Sequence, residues 1–162
     1  MPRHPEHLRT FDYLGVHRYS LCFCAFGQSE YFANEGAVRL VLEQFLRAAR
    51  EQAFAILAYC FMPDHVHLLI EGETDASDCR AFIARAKQYS AYYFKRRAGM
   101  PLWQRYGHEH VLRSDQATLA VARYIVGNPL RAGLVDRIEE YPFFGSSRYS
   151  KEELIKGTAW SG

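Results

Sequence analysis

The sequence of 162 residues has no apolar run close to the roughly 20 residues that a membrane-spanning helix needs. It also has no internal repeat, no low-complexity tract and no linker rich in proline, glycine or serine. The first fifteen residues contain no apolar segment typical of a secretory signal, so none is expected. These absences predict one domain over residues 1–162, with its core over about 10–150, and no membrane partner.

The cysteines lack the spacing that is typical of a metal site. The four cysteines lack the paired C-x-x-C pattern of a zinc site and lie mostly in apolar segments: Cys22, Cys24, Cys60 and Cys79. We expect reduced thiols in a cytoplasmic protein. Cys22 and Cys24 would share one face of a strand, so weak metal binding is conceivable there, but small core residues are the preferred interpretation.

The net charge of +2 conceals an uneven distribution. Between Arg80 and Arg131 there are ten basic residues and two acidic ones, whereas the rest of the chain has ten basic and sixteen acidic. One stretch is therefore near +8 and the remainder near −6. Eight aromatic residues interleave the basic ones, which suits the binding of unstacked bases. This pattern indicates a partner made of nucleic acid.

Apolar periodicity and turn residues predict the order strand, helix, strand, strand, helix, strand, helix. The strands are expected at 19–26, 54–62, 65–71 and 110–113, and the first helix at 34–52. A long helix should begin at Asp75 or Ser77 and end near Arg97, and a last one should stop near Asn128, before Pro129. This order predicts an α+β protein with a ferredoxin-like split βαβ sheet of about four antiparallel strands and one additional helix.

Two histidines, His65 and His67, are two residues apart on the predicted third strand, so their imidazoles project from one face. Two convergent neutral imidazoles are the start of a divalent-metal site, although most such pairs bind nothing. A second pair, His108 and His110, is a rival. It lies in a polar stretch beside glycine, where a solvated loop is the preferred interpretation.

Tyr124 and Asn128 are four residues apart, so on one continuous helix they share a face. Tyrosine offers a phenolic nucleophile, and asparagine offers a carbonyl oxygen that could complete a metal site. In isolation, this pair would be ordinary helix surface.

Taken together, these segments resemble a known family. The segment MPDHVHLL at 62–69 is similar to the signature of the HUH (His-hydrophobic-His) nucleases. The later segments WQ, HVLR, YI, NP, AGLV and YP, with a Ser-Ser pair, resemble REP-associated tyrosine transposases, relatives of single-tyrosine insertion-sequence transposases. The resemblance runs from about Tyr19 to Tyr149. Asp64 departs from it, because the family commonly has asparagine there. An extra carboxylate beside the histidines could tighten metal binding or only cap the turn, and the turn cap is the preferred interpretation.

The resemblance implies a metal-dependent transposase that cleaves hairpin-flanked single-stranded DNA. Tyr124 would form a 5′-phosphotyrosine intermediate, while Mg²⁺ or Mn²⁺ would be held by His65, His67 and Asn128 and by phosphate oxygens. The protein would be a monomer or a homodimer. The DNA-binding residues are expected in the basic stretch: Arg85, Lys87, Lys95, Arg96, Arg97, Arg105, Arg113 and Arg123.

Other assignments remain open at this point. A ferredoxin-like module that binds single-stranded nucleic acid without cutting it is the alternative function, and a hydrolase with an activated water ranks last. Among the other tyrosines, an apolar stripe on the long helix predicts that Tyr89 and Tyr93 are core. Tyr92 lies off that stripe and is the competing nucleophile. Tyr106 lies in a predicted loop, where nothing would hold its hydroxyl in line.

Overall fold

The computed structural model describes residues 13–105, 108–112 and 118–156. Within them the chain forms strand β1 (Arg18–Cys24), helix α1 (Glu35–Gln52), strands β2 (Phe54–Met62) and β3 (His65–Gly72), and helix α2 (Cys79–Ala98). There follow β4 (His108–Leu112), α3 (Thr118–Val126), α4 (Asn128–Arg131), the two-residue strand β5 (Phe144–Gly145) and α5 (Lys151–Ile155). None of the described helices is long and apolar enough to cross a membrane.

The strands form one sheet in the order β4-β1-β3-β2-β5, and each neighbouring pair is antiparallel. The first four positions are those of two interleaved βαβ units, β1-α1-β2 and β3-α2-β4. The predicted ferredoxin-like α+β fold is therefore confirmed. Strand β3, which carries the predicted histidine pair, lies at the centre of the sheet between β1 and β2.

The two faces of the sheet carry separate cores, because side chains alternate along each strand. Helices α1 and α2 cover one face, where Phe23, Val66 and Leu68 pack with Phe82. Helix α3 and the C-terminal segment cover the other face, where Leu69 packs with Ala122, Val126, Ile138, Tyr141 and Leu154. His65 and His67 alternate with Val66 and Leu68, so they belong to the face that α3 covers.

Pro63 and Asp64 form a two-residue turn that fixes where β3 begins, since Met62 pairs directly with His65. The turn is held by backbone bonds from outside the hairpin. The Ala25 amide donates to the Asp64 carbonyl over 2.8 Å, and the Phe32 amide donates to the Pro63 carbonyl over 2.9 Å. The backbone position of His65 therefore does not depend on the side chain at position 64.

Helix α2 differs from the prediction in its start and in its buried stripe. Its N-cap is Asp78, whose carboxylate accepts from the Ala81 amide over 3.1 Å. Ser77 is buried instead, and its hydroxyl donates to the Ala53 carbonyl over 2.6 Å. The cap preference of serine was thus overridden by a bond to a distant residue, which the local sequence does not encode.

The stripe of α2 that is fully buried runs on through Ser90 and Phe94. Tyr89 is half-buried and packs against the core, whereas Tyr93 is 39% exposed, so the prediction that Tyr93 is core was wrong. Ser90 is tolerated in the core because its hydroxyl donates to the Ala86 carbonyl and accepts from the Trp103 indole N–H over 2.9 Å.

The fourth strand was expected at 110–113 with a solvated loop before it, but His108 and Glu109 already belong to β4, so its predicted start was wrong. The strand pairs with β1, with Cys22 opposite His108 and Ser20 opposite His110. A polar edge strand is stabilised by its partner, and that partner is about ninety residues away in the sequence. The side chains of His108 and His110 lie outside the described residues, as do Tyr106 and Arg113.

Candidate active site

The imidazoles of His65 and His67 meet on the α3 face of β3. Their Nε2 atoms are 3.1 Å apart, and the two rings are nearly perpendicular, at 87°. The His65 side chain is 28% exposed, so the pair can be reached from solvent. The two ring nitrogens are therefore within hydrogen-bond distance of each other and close to solvent.

Asp64 orients His65. Its Oδ1 atom is 2.6 Å from Nδ1 of the ring, a short distance for a contact between a carboxylate and a ring N–H. A carboxylate at this position favours the tautomer with its hydrogen on Nδ1, which leaves Nε2 unprotonated and facing His67. This is the arrangement by which outer-shell carboxylates hold metal-binding histidines. The expectation that Asp64 acts only as a turn cap is therefore replaced by a contact with the histidine itself.

His67 lies deeper, between Cys22 of β1 and Cys60 of β2 in the register of the sheet. Burial, and then the neighbouring His65 and Arg131, lower the pKa of His67 to about 4. The ring is consequently neutral at pH 7 and keeps a free lone pair. Burial raises the pKa of Cys22 and Cys60 to about 12, so both flanking groups are neutral thiols.

The two imidazoles are close enough for both to contribute a nitrogen to one divalent cation, since their Nε2 atoms are 3.1 Å apart. Among the described residues no cluster of three or more His, Cys, Asp or Glu side chains could hold a metal. Further ligands would have to be amide, water or substrate oxygens.

Tyr124 lies on α3, whose inner side packs on the same sheet face through Ala122, Ile125 and Val126. The tyrosine points outward and is 66% exposed. The guanidinium carbon of Arg131 lies 3.8 Å from the centre of its ring, which is a close cation–π contact. An accessible phenol is therefore held beside a fixed positive charge.

Asn128 is not on an uninterrupted helix with Tyr124, as the sequence had suggested. Helix α3 ends at Val126, and Asn128 is the first residue of α4. Pro129 has no N–H for the Ile125 carbonyl, and the side-chain amide of Asn128 donates to that carbonyl instead, over 3.0 Å. The Oδ1 atom of Asn128 accepts from Arg131 Nη2 over 2.8 Å. Both ends of the amide thus have partners within the protein.

Residues 15–127 match the family described as IS200-like transposases, and this is more than half of the chain. The chain belongs to the IS200-like transposase family. A Haemophilus influenzae protein assigned to the REP-associated tyrosine transposases is 28% identical over 128 residues, which cover 67% of this chain and 68% of that protein. A REP-associated tyrosine transposase of Escherichia coli K12 is 24% identical over 108 residues, 65% of this chain and 62% of its own length.

Among solved structures, a REP-associated tyrosine transposase bound to a REP hairpin is similar to this chain, with a TM-score of 0.71 at 18% identity. The match covers 86% of this chain and 81% of that one, and at this identity it establishes the fold. The family match and these relatives together confirm the predicted resemblance to REP-associated tyrosine transposases and the predicted enzyme class, a tyrosine transposase. The family match ends at Gly127, so it includes neither Asn128, the next residue, nor Arg131.

In this transposase most of the predicted DNA-binding residues lie on α2, on the opposite side of the sheet from the histidines. Their side chains are exposed at Arg85, Lys95, Arg96 and Arg97, and Arg105 is exposed beyond the helix. The basic residues are thus contiguous in the sequence but do not form one surface. A count of charges could not have shown this, because it does not say which face of the fold a residue occupies.

Two of the predicted basic residues are engaged elsewhere. Arg123 donates from Nε and Nη2 to the Glu153 carbonyl, each over 3.3 Å, and so joins α3 to α5. Lys87 is half-buried, with its ammonium 5.3 Å from the centre of the Phe23 ring. Burial lowers the pKa of Lys87, and the nearby Cys24 partly opposes that shift. Cys24 is the residue opposite His65 in the pairing of β1 with β3.

The competing tyrosine, Tyr92, is 56% exposed on α2, and its hydroxyl accepts from Arg96 over 3.2 Å. The sheet therefore lies between Tyr92 and the histidine pair. Arg131 was counted in the basic stretch but given no role, and the structure places it against Tyr124 and Asn128. Its spacing, three residues after Asn128 and seven after Tyr124, is the signal that could have found it.

Proposed function

We propose that this transposase cuts and rejoins single-stranded DNA with Tyr124 as its nucleophile. One observation carries the proposal: a helix with an exposed phenol packs on the sheet face from which two imidazoles present convergent Nε2 atoms, 3.1 Å apart. An exposed nucleophile on a rigid helix is suited to attack in a defined direction. Tyr92 lacks this placement.

His65 and His67 would hold Mg²⁺ or Mn²⁺, with Oδ1 of Asn128 as a third protein ligand and phosphate oxygens at the remaining positions. When bound, such a cation supplies Lewis-acid polarisation of the scissile phosphate. The neutral state of His67 and the Asp64 contact of His65 support this ligand set, because a neutral imidazole has a nitrogen lone pair to offer and a hydrogen on Nδ1 of His65 leaves its Nε2 free to bind.

In the reaction, the Tyr124 phenol loses its proton and its oxygen forms a bond to phosphorus. The bond from phosphorus to the 3′ oxygen breaks, and that oxygen takes up a proton. The products are a 5′-phosphotyrosine and a free 3′-OH. A 3′-OH can later attack the phosphotyrosine, which restores the phenol and joins the strands without hydrolysis.

The partner we propose is hairpin DNA. The related transposase of similar fold is bound to a REP hairpin. In this chain the C-terminal end of α2 offers three consecutive cations, Lys95, Arg96 and Arg97, beside the exposed rings of Tyr92 and Tyr93. Cations would contact phosphates and the rings could stack on bases.

The same surface favours the second candidate function, a binder that does not cut, because exposed tyrosines among cations are sufficient for single-strand binding. A denaturing gel with end-labelled hairpin DNA and Mn²⁺ separates the two. We expect a covalent protein–DNA band for the wild type and for Tyr92→Phe, and none for Tyr124→Phe, although all three bind the hairpin. The absence of a covalent band with wild-type protein would favour the binder, and its loss only in Tyr92→Phe would move the nucleophile to α2.

A further inference from the structure

Helix α3, which carries the proposed nucleophile, is tied to the sheet at its first residue. Nη1 of Arg18, the first residue of β1, donates to Oγ1 of Thr118, where α3 begins. The two residues are 100 positions apart in the chain. The start of the helix is therefore attached to the sheet by a directional bond, in addition to the apolar packing of Ala122, Ile125 and Val126.

Arg18 is itself held in place by charge. In the sheet it lies opposite Glu71 of β3, and its Nε atom is 4.0 Å from Glu71 Oε2. The other carboxylate oxygen of Glu71 accepts from Nη1 of Arg148 over 2.8 Å. The side chains of Arg18 and Glu71 are only 14% and 24% exposed, so water and salt screen this pair less than a surface pair.

Arg148 extends this network to the C-terminal segment. The residue before it, Ser147, is bonded to β2: its amide donates to the Ile56 carbonyl over 2.8 Å, and its hydroxyl accepts from the Ile56 amide over 3.0 Å. The carboxylate of Glu71 thus lies between two cations, one on a strand and the other next to a residue bonded to a strand. The guanidinium that reaches Thr118 is therefore held by a rigid part of the fold.

The network lies too far from the histidines to take part in the chemistry. Glu71 comes six residues after His65 on β3, which corresponds to about 20 Å. Thr118 comes six residues before Tyr124 on α3, or about 9 Å along the helix axis. An effect of these charges on cleavage would therefore act through the position of the helix.

Apolar packing and a hydrogen bond restrain a helix in different ways. Packing holds α3 against the sheet but is non-directional, so a small slide or rotation keeps most of the buried area. A hydrogen bond at one end depends on distance and angle, and it restrains both of these movements. This restraint bears on the reaction, because misplacement by about 1 Å can cost about 10²-fold in rate.

We propose that Arg18 and Glu71 are positioning residues for Tyr124, and that they act through Thr118 to set where the phenol lies over the histidine face. This inference rests on the function proposed above. It assigns a role in the reaction to two charged residues at the opposite end of the strands from the histidine pair.

Thr118→Val tests the proposal with little disturbance, because valine has the shape of threonine without the acceptor oxygen. Cleavage of hairpin DNA is followed in single turnover, beside hairpin affinity and urea unfolding. We expect the rate at saturating DNA to fall about tenfold while the half-saturating DNA concentration stays within about twofold of wild type. Thr118→Ser keeps the oxygen and should cleave at the wild-type rate. The assay contains no urea, so a modest loss of stability leaves the protein folded and cannot produce this pattern.

A double variant tests whether Arg18 acts through Thr118. If it does, Arg18→Ala slows cleavage, and the addition of Thr118→Val slows it little further, so that the two effects are not additive. Glu71→Gln removes the charge that holds Arg18 and should slow cleavage less than Arg18→Ala. Arg39→Ala is the matched control, because it breaks an exposed pair with Glu35, 2.9 Å long, on α1 and should leave the rate unchanged.

A wild-type rate in Thr118→Val, or effects of Arg18→Ala and Thr118→Val that multiply in the double variant, would overturn the inference. Equal losses in Thr118→Ser and Thr118→Val would do the same, since the hydroxyl would then not be the group that matters. If the wild type itself forms no covalent band, the proposed function fails first. A wild-type band with an unaffected Thr118→Val rejects this inference alone.

Discussion

The contact between Asp64 and His65 leads to a quantitative expectation for Mn²⁺ affinity. Replacement of a carboxylate that orients a metal-bound histidine costs about 10- to 100-fold in affinity. The Asp64 side chain is 43% exposed, so water screens its charge, and the low end of that range applies. Asp64→Ala should therefore weaken Mn²⁺ binding about tenfold, or by about 1.4 kcal/mol.

Asp64→Asn should have a smaller effect, because an amide oxygen can still accept from Nδ1. A neutral acceptor is worth about half as much as a charged one, so we expect a loss of about threefold. Both variants should keep the wild-type melting temperature, since the turn at Pro63 and Asp64 is held through its backbone carbonyls. Asp75→Ala, which removes an exposed acid on another loop, serves as the control for charge alone.

The assay is a Mn²⁺ titration followed by electron paramagnetic resonance, repeated as the Mn²⁺ dependence of hairpin cleavage. Equal affinity for wild type and Asp64→Ala would show that the carboxylate only serves the turn. A larger loss in Asp64→Asn than in Asp64→Ala would show that the hydrogen-bond argument is wrong.

Three further predictions concern the pair, the basic surface and the fold. His65→Ala or His67→Ala should remove cleavage while hairpin binding stays within a few-fold, whereas His110→Ala should retain most of both; the opposite result on the labelled gel would assign the metal to β4. Reversal of charge at residues 95–97 should weaken hairpin binding and reduce the slope of log K against log salt by about 0.9 per lost phosphate contact; an unchanged slope would remove α2 from the DNA surface. Asn34→Ala should lower the free energy of unfolding by about 1 kcal/mol in urea, because Asn34 accepts from the Ala37 amide over 3.0 Å, and no loss would mean that this cap is replaced by water.

Much of the fold follows from local patterns. Strand β2 was predicted with its observed bounds. A nine-residue apolar run that follows a predicted helix and ends at a Pro-Asp turn favours a buried strand over other secondary structures. Helix α1 was predicted over 34–52 and spans Glu35–Gln52, with Asn34 as its cap, whose side chain accepts from the Ala37 amide. These features depend on residues within one turn of one another, and a single sequence contains that information.

The errors share a different cause, which is dependence on distant partners. Ser77 does not begin α2, because its hydroxyl donates to the Ala53 carbonyl. The polar residues at the start of β4 form a strand because they pair with β1. For the site, the sequence supplied the histidine pair and the tyrosine, but not the Asp64 contact or the position of Arg131. Both depend on which of several nearby groups a side chain contacts. The periodicity of the sequence carries no information on that.

The C-terminal segment has a consequence for how this enzyme can vary. Ile138, Tyr141 and Leu154 carry none of the proposed chemistry, yet they form the outer wall of the core beneath α3, and the Tyr141 hydroxyl donates to the Phe61 carbonyl. Strand β3 places the histidines at the centre of the sheet, whereas the packing of α3 against these three residues places Tyr124. Substitutions at the three residues would therefore change the position of the proposed nucleophile without altering any group of the proposed chemistry.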